Sequence, residues 1–178
     1  MKKLVTVALA ISMVTTMSMA EDMYFGGGIA MEMVEGNYDG SSDTGTALEL
    51  KVGKIFSNNF GIEGKITKTI SSEKVDFDIE NSNYYDGGVK VDSTTFSVWA
   101  MYQYNLTNEF SISPKIGFLS VQPSYSNNVA VKAVNTSKVA LGLEVKKNLP
   151  TLGFDIYAGY NYLASDLKHI SFGIQKSF

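Results

Sequence analysis

Phe154-Asp155-Ile156-Tyr157-Ala158-Gly159-Tyr160-Asn161-Tyr162 changes character at every residue. Phe154, Ile156, Ala158, Tyr160 and Tyr162 fall on one side of an extended chain, and Asp155, Tyr157, Gly159 and Asn161 on the other. A period of two marks a β-strand whose faces meet different surroundings; a helical period of 3.6 would mix the two sets. The pattern repeats outward from this stretch. Val139, Leu141, Leu143 and Val145 alternate with Ala140, Gly142, Glu144 and Lys146, and Ile170, Phe172, Ile174 and Phe178 with Ser171, Gly173, Gln175 and Ser177. Upstream, Phe110, Ile112, Ile116 and Phe118 oppose Ser111, Ser113, Lys115 and Gly117. Phe96, Val98, Ala100, Tyr102 and Tyr104 oppose Ser97, Trp99, Met101, Gln103 and Asn105. Ile62, Ile66 and Ile70 oppose Glu63, Lys65, Thr67 and Thr69, while Leu48, Leu50, Val52 and Phe56 oppose Glu49, Lys51 and Gly53. Phe25, Ile29, Met31 and Met33 oppose Tyr24, Gly26, Gly28, Ala30 and Glu32. Eight strands of about ten residues follow, the length a tilted strand needs to cross a bilayer.

The connections alternate in length. Ser57-Asn58-Asn59, Thr107-Asn108 and Asn148-Leu149-Pro150-Thr151 are short and rich in turn formers. The others are read as 35–45, 71–94, 122–136 and 164–168, three of them much longer. Turns at one end and long loops at the other is the asymmetry of an outer-membrane barrel, with turns in the periplasm and loops outside. The even strand count places both ends of the barrel on the periplasmic side. Pro114, inside the fifth strand, has no N–H for a ladder that a closed barrel needs throughout, so a bulge is expected there.

Composition narrows the functional classes. The chain has 178 residues, 44% hydrophobic and 19% charged, and a formal charge of −3, with a mean hydropathy of zero. That average excludes a bundle of membrane helices. All 15 basic residues are lysine and form no cluster, so nucleic-acid binding is not supported. The absence of cysteine removes disulfides, thiolate metal sites and cysteine nucleophiles. One histidine, His169, cannot build a histidine-cluster metal site, and no cofactor is expected.

Residues 1–20 read as a cleaved signal peptide. Lys2 and Lys3 give a positive start, Leu4 to Met17 an apolar core, Ser18-Met19-Ala20 a small-residue cleavage site, and Glu21-Asp22 follow. The domain proper is then 21–178.

Alternating strands also describe a soluble sandwich, whose apolar face points inward. Three features favour the inverse. The polar face is crowded with Gly26, Gly28, Gly53, Gly117, Gly142, Gly159, Gly173 and several serines, small residues that suit a narrow lumen better than a wet surface. Its charges nearly balance, Glu32, Glu49, Glu63, Glu144 and Asp155 against Lys51, Lys65, Lys115 and Lys146, as a confined interior requires. Aromatics gather at strand ends on the apolar face, with Phe25, Phe56, Phe60, Tyr104, Phe110, Phe154 and Phe178 at the inferred periplasmic level and Phe96, Phe118, Tyr160 and Tyr162 nearer the other. Such girdles bracket an aliphatic band at the two membrane interfaces. The fold class is therefore all-β, an eight-stranded antiparallel up-and-down transmembrane β-barrel.

The terminal Ile170-Ser171-Phe172-Gly173-Ile174-Gln175-Lys176-Ser177-Phe178 resembles the C-terminal signal of bacterial outer-membrane proteins, with alternating apolar residues and a final aromatic. Lys176 departs from that pattern, placing a charge where an apolar residue is usual. Across its length the mature chain is similar to small outer-membrane barrels of the OmpA and OmpX type, and Tyr24-Phe25-Gly26-Gly27-Gly28 and the hairpin of Lys51-Val52-Gly53 with Phe60-Gly61-Ile62-Glu63-Gly64 resemble the broad outer-membrane β-barrel, small porin-like family. The resemblance implies a Gram-negative outer-membrane location, lipid and lipopolysaccharide around the wall, a monomer, and Ile170, Phe172, Ile174 and Phe178 read by the barrel assembly machinery.

His169-Ile170-Ser171 is similar to the His and Ser of lipid A deacylases, but no acid follows and Phe172 replaces the usual Asn. The register also turns both side chains away from lipid, so an enzyme is not expected. Asp76, Asp78 and Glu80 alternate in a long loop without a calcium-type ligand loop. Eight strands enclose a lumen that side chains fill, so the nine inward charges are expected to form a plugging ion network. The function expected is structural and surface-interacting, through acidic loops that favour an extracellular protein or host surface of basic character. A narrow channel for small solutes or ions is the alternative, with a lipid A-modifying enzyme third.

Overall fold

The computed structural model describes residues 23–35, 42–71, 74–75, 89–125, 136–164 and 167–178. Eight long strands form the wall: β1 (Met23–Glu35), β2 (Ser42–Ile55), β3 (Phe60–Ser71), β5 (Val89–Tyr102), β7 (Phe110–Tyr125), β8 (Thr136–Leu149), β9 (Phe154–Ala164) and β10 (Leu167–Ser177). Two short pieces accompany them. β4 (Lys74–Val75) pairs beside the start of β5, and β6 (Tyr104–Asn105) continues β5. Every neighbouring pair is antiparallel, and β1 pairs with β10, so the sheet closes on itself.

Closure fixes the dimensions. Following directly paired residues around the wall leads from Met23 through Lys54, Ile62, Ala100, Ile116, Leu141, Tyr162 and Lys168 to Met33, ten residues further along β1. With strands about 4.8 Å apart and a rise of about 3.3 Å per residue, that shear over eight strands gives a tilt of about 41° and a backbone radius of about 8 Å. Such a lumen has room for side chains and little else.

Burial follows the predicted parity with the faces inverted relative to a soluble protein. Ile29, Leu48, Leu50, Ile62, Val98, Ile116, Phe118, Leu141, Phe172 and Ile174 are half or more exposed, whereas Glu49, Lys51, Glu63, Lys65, Lys115 and Glu144 are buried. A sandwich would hide the first set and wet the second. The exposed aliphatic side chains continue around the wall and are rimmed at the short-turn end by Phe25, Phe56, Phe60, Tyr104, Phe110 and Phe178. Such an exterior is at home only in hydrocarbon. Phe60, Tyr102 and Tyr104 contact edge to face, with centroids 4.9 and 4.5 Å apart.

The short turns are tightly made. Phe56 and Phe60 bracket three residues, Phe56 N–H donates to the Phe60 carbonyl, and Asn59 supplies the left-handed step at φ 65°. Gly153 does the same at φ 69° between β8 and β9, where its N–H and that of Leu152 both reach the Leu149 carbonyl.

Two expectations need correction. The strands run further at the opposite end than the alternation suggested: β2 starts at Ser42, β5 at Val89 and β8 at Thr136, while β7 continues to Tyr125. The connections there shrink to 36–41, 72–88 (interrupted by β4), 126–135 and 165–166, all outside the described residues apart from β4. Nor is there a bulge at Pro114. Met101 pairs with Lys115 and Tyr104 with Ile112 in one unbroken register. The missing N–H instead leaves a two-residue lapse in the ladder with β7, at Tyr102 and Gln103; Tyr102 still pairs with Phe60, and Gln103 alone separates β5 from β6. A lapse costs one hydrogen bond, whereas a bulge would have shifted every inward side chain beyond it.

Candidate functional site

Inward-facing side chains on β2, β3, β7 and β8 meet halfway along the lumen. Lys115 Nζ lies 2.9 Å from Glu63 Oε1 and 2.7 Å from Glu144 Oε2; Lys51 Nζ lies 2.9 Å from the same Glu144 oxygen and 3.7 Å from Glu63 Oε2. Each lysine thus touches both glutamates in a neutral ring of four charges. Side-chain exposure is 0% for Lys51 and Glu63, 1% for Lys115 and 7% for Glu144, so a water-sized sphere barely reaches this layer. Charges so enclosed are tolerable only when paired and hydrogen-bonded.

Aromatic side chains complete the layer. Tyr24 OH donates to Glu63 Oε2 at 2.7 Å, and Tyr157 OH donates to Glu49 Oε1 at 3.0 Å. The Lys51 ammonium sits 3.3 Å from the centroid of the Tyr157 ring. The glycines of the polar face explain how rings fit in so narrow a tube. Tyr24 is paired directly across strands with Gly53, Trp99 with Gly117, and Tyr157 with Gly173. In each case the ring lies over the glycine: a Cβ on Gly117 would meet Trp99 Cδ2 at 2.7 Å, and one on Gly173 would meet Tyr157 Cζ at 2.6 Å.

The remaining predicted charges occupy other levels. Lys65 Nζ is 3.1 Å from Glu49 Oε2 just above the ring, and Lys146 Nζ is 3.7 Å from Asp155 Oδ2 near the short-turn mouth. Lys146 also donates to Gln103 Oε1 at 3.0 Å, and Gln175 donates to Asp155 Oδ2 at 3.3 Å. Cavities of about 320 and 340 Å³ open at that mouth, both lined by Gln103 and Lys146. Glu32 stands apart from the lysines. It accepts from Thr69 Oγ1 at 2.7 Å, and His169 Nε2 lies 3.1 Å from its Oε1 without the alignment of a hydrogen bond.

Sequence reasoning left His169, Tyr24, Tyr157 and Gln103 out of the charge set. Inward parity was the signal that marked them, because a buried hydroxyl or amide on that face must find a partner. His169 and Ser171 are both enclosed, at 2% and 0% exposure, and Ser171 Oγ has no hydrogen-bond partner among the described residues. Among the described residues no group of three potential metal ligands occurs. Asp76, Asp78 and Glu80 lie outside the described residues. Of the C-terminal residues, Phe172, Ile174 and Phe178 face outward and exposed, and Ile170 is half-buried.

Comparison with known proteins agrees with this geometry. Crystal structures of Ail, the attachment invasion locus protein of Yersinia pestis, superpose with TM-scores of 0.56 (in complex with the heparin analogue sucrose octasulfate) and 0.55, at 19% and 21% identity, covering 88% of this chain and 97% of theirs. Neisserial surface protein A superposes with a TM-score of 0.61 at 15% identity, covering 89% and 98%. These likenesses are of fold. No curated protein sequence matches the chain. The family described as outer membrane protein beta-barrel domain matches residues 6–177. The chain belongs to this bacterial outer-membrane β-barrel family.

Proposed function

We propose that the protein is a closed barrel that displays acidic loops to partners outside the cell, and that it is neither a pore nor an enzyme. The observation that carries this reading is the enclosed ring of Lys51, Glu63, Lys115 and Glu144 across a lumen of about 8 Å backbone radius. Solute would have to part four paired charges to pass, at a cost of several kcal/mol per uncompensated ion. No catalytic role is assigned, because His169 and Ser171 face the lumen, away from lipid, at 2% and 0% exposure. On this reading residues 1–20 are removed on export, the monomer sits among phospholipid and lipopolysaccharide, and Ile170, Phe172, Ile174 and Phe178 are the residues presented to the barrel assembly machinery.

Contact would be made by the connections opposite the short turns. Segment 72–88 holds Glu73, Asp76, Asp78, Glu80 and Asp86 against a single lysine, Lys74. Such a surface attracts cationic partners and repels polyanions. In this it would differ from Ail, whose structure holds a heparin analogue. The test uses the full chain in nanodiscs with polylysine and heparin as probes. Polylysine should bind in a salt-sensitive way and heparin should not, and replacement of 76–88 by a two-residue Asn-Gly turn, which keeps a hairpin between β4 and β5, should abolish binding. Planar-bilayer recording of the same protein should show no stable open channel. Large steady conductance would overturn the closed-barrel reading; polylysine binding unchanged by the replacement would overturn the loop reading.

A further inference from the structure

The outward-facing lysines at the short-turn end are arranged unevenly. Lys54 on β2, Lys147 on β8 and Lys176 on β10 emerge at the level of the aromatic rim, two residues before Phe56, directly opposite Phe110, and two residues before Phe178. Their ammonium groups lie 6.0, 5.1 and 5.7 Å from the centroids of those three rings. Since β10 and β2 both flank β1, and β9 separates β8 from β10, the three stand on alternate strands of one half of the wall. Two strand spacings put successive lysines about 10 Å apart, the scale of neighbouring lipid headgroups. The other half carries Phe60, Tyr102 and Tyr104 at this level and no outward lysine.

Among the described residues these cations have no carboxylate within ion-pair distance. Every lysine inside the lumen is within 4 Å of a carboxylate, yet Lys54, Lys147 and Lys176 form no ion pair with any described residue. The outward strand positions around them are Phe25, Phe56, Ile62, Val145, Ile156 and Ile174, all apolar. A lysine in that belt lays its stem on hydrocarbon, rests its charge against a ring face, and points its donors at the headgroup layer. Three lysines on one arc, none paired with a described carboxylate, give the membrane a positive surface to neutralise.

We propose that the arc of Lys54, Lys176 and Lys147 binds the phosphates of anionic phospholipids in the periplasmic leaflet, so that the barrel collects phosphatidylglycerol-type lipid on one side of its wall. The ring contacts hold each ammonium at headgroup depth, the spacing suits one lipid per lysine, and the lysine-free arc leaves the other side without that preference. This site is independent of the loop reading, because it lies at the other end of the barrel and uses none of its residues.

The test is native mass spectrometry of the full-length folded barrel equilibrated with an equal mixture of phosphatidylglycerol and phosphatidylcholine. Wild type should retain phosphatidylglycerol in excess, and the excess should fall with added salt. Each Lys→Gln change should reduce it by about fivefold, and K54Q/K147Q/K176Q should bind the two lipids equally. Arginine at the three positions should keep the preference, as should K68Q/K138Q near the opposite rim. Heat-modifiable gel migration confirms folding of each variant, and the salt titration of wild type stands if the triple variant does not fold. A wild-type barrel with no preference, a preference insensitive to salt, a triple variant that keeps it, or equal loss in K68Q/K138Q would overturn the proposal.

Discussion

Replacing Lys115 with methionine removes one corner of the central ion ring while keeping most of the side-chain volume. In the wild type its ammonium is 2.9 Å from Glu63 and 2.7 Å from Glu144, in a layer where it is 1% exposed. The variant leaves two carboxylates to share Lys51, at 3.7 and 2.9 Å, and the ring goes from neutral to a charge of −1. Removing one partner of a buried pair costs about 3–5 kcal/mol, chiefly through the charge left behind. With a urea dependence of about 2 kcal/mol/M, the unfolding midpoint should fall by about 1.5–2.5 M. Emission from Trp99, the only tryptophan in the chain, reports unfolding of the barrel in lipid vesicles. Adding Glu144→Gln restores a neutral Lys51–Glu63 pair, so the double variant should be more stable than the sum of the two single losses by about 1–3 kcal/mol. A loss below about 1 kcal/mol for Lys115→Met, or strict additivity in the double variant, would show that the ring carries no such energy.

Other perturbations probe features that do not involve charge. Gly117→Ala should cost about 1–3 kcal/mol and shift Trp99 emission, since the new methyl meets Trp99 Cδ2 at 2.7 Å and the Val98 carbonyl oxygen at 2.5 Å. Gly64→Ala is the control: its nearest neighbour is 3.9 Å away, and the urea midpoint should stay nearly fixed. Gly153→Ala should cost about 1 kcal/mol despite the open space around it, because φ of 69° is unfavourable for alanine. Gly153→Asn should recover most of that loss in the same urea titration.

Parity was the part of this structure that could be read in advance. Glu49, Lys51, Glu63, Lys65, Lys115 and Glu144 face inward because their neighbours in sequence are apolar and face out, and nothing else in the chain can reverse that choice. Strand ends were legible only where that contrast lasts. Ser42–Thr46, Val91–Thr95 and Thr136–Lys138 continue their strands, yet they mix polar with apolar residues or are polar throughout. Beyond the apolar band both faces of a strand meet water, so the period of two fades while the hydrogen-bonded ladder goes on. The partners of each charge were not legible either. Lys115 and Glu63 are 52 residues apart, and which glutamate lies level with which lysine depends on the shear of the wall. Glu32 shows the limit: counted among lysine-balancing acids, it sits instead beside His169, its direct cross-strand partner. Pro114 was recognised as an obstacle, but choosing between a lapse and a bulge required knowing how many inward side chains a shifted register would displace.

The pairing of β1 with β10 also sets an order of events. The first strand to be made waits for the last, so no stretch of the growing chain can complete the wall by itself. Until closure, β1 and β10 are free edges, and the rows of lumen residues that need opposite walls have nothing to meet. Lys51 and Glu144, 93 residues apart, can touch only when the circle is joined. Contacts so distant in sequence make folding slow, and the unjoined form must be sheltered from other open edges meanwhile. The ring of charges thereby acts as a late check: a wall joined one residue out of step would bring the wrong faces together and leave four ions without partners.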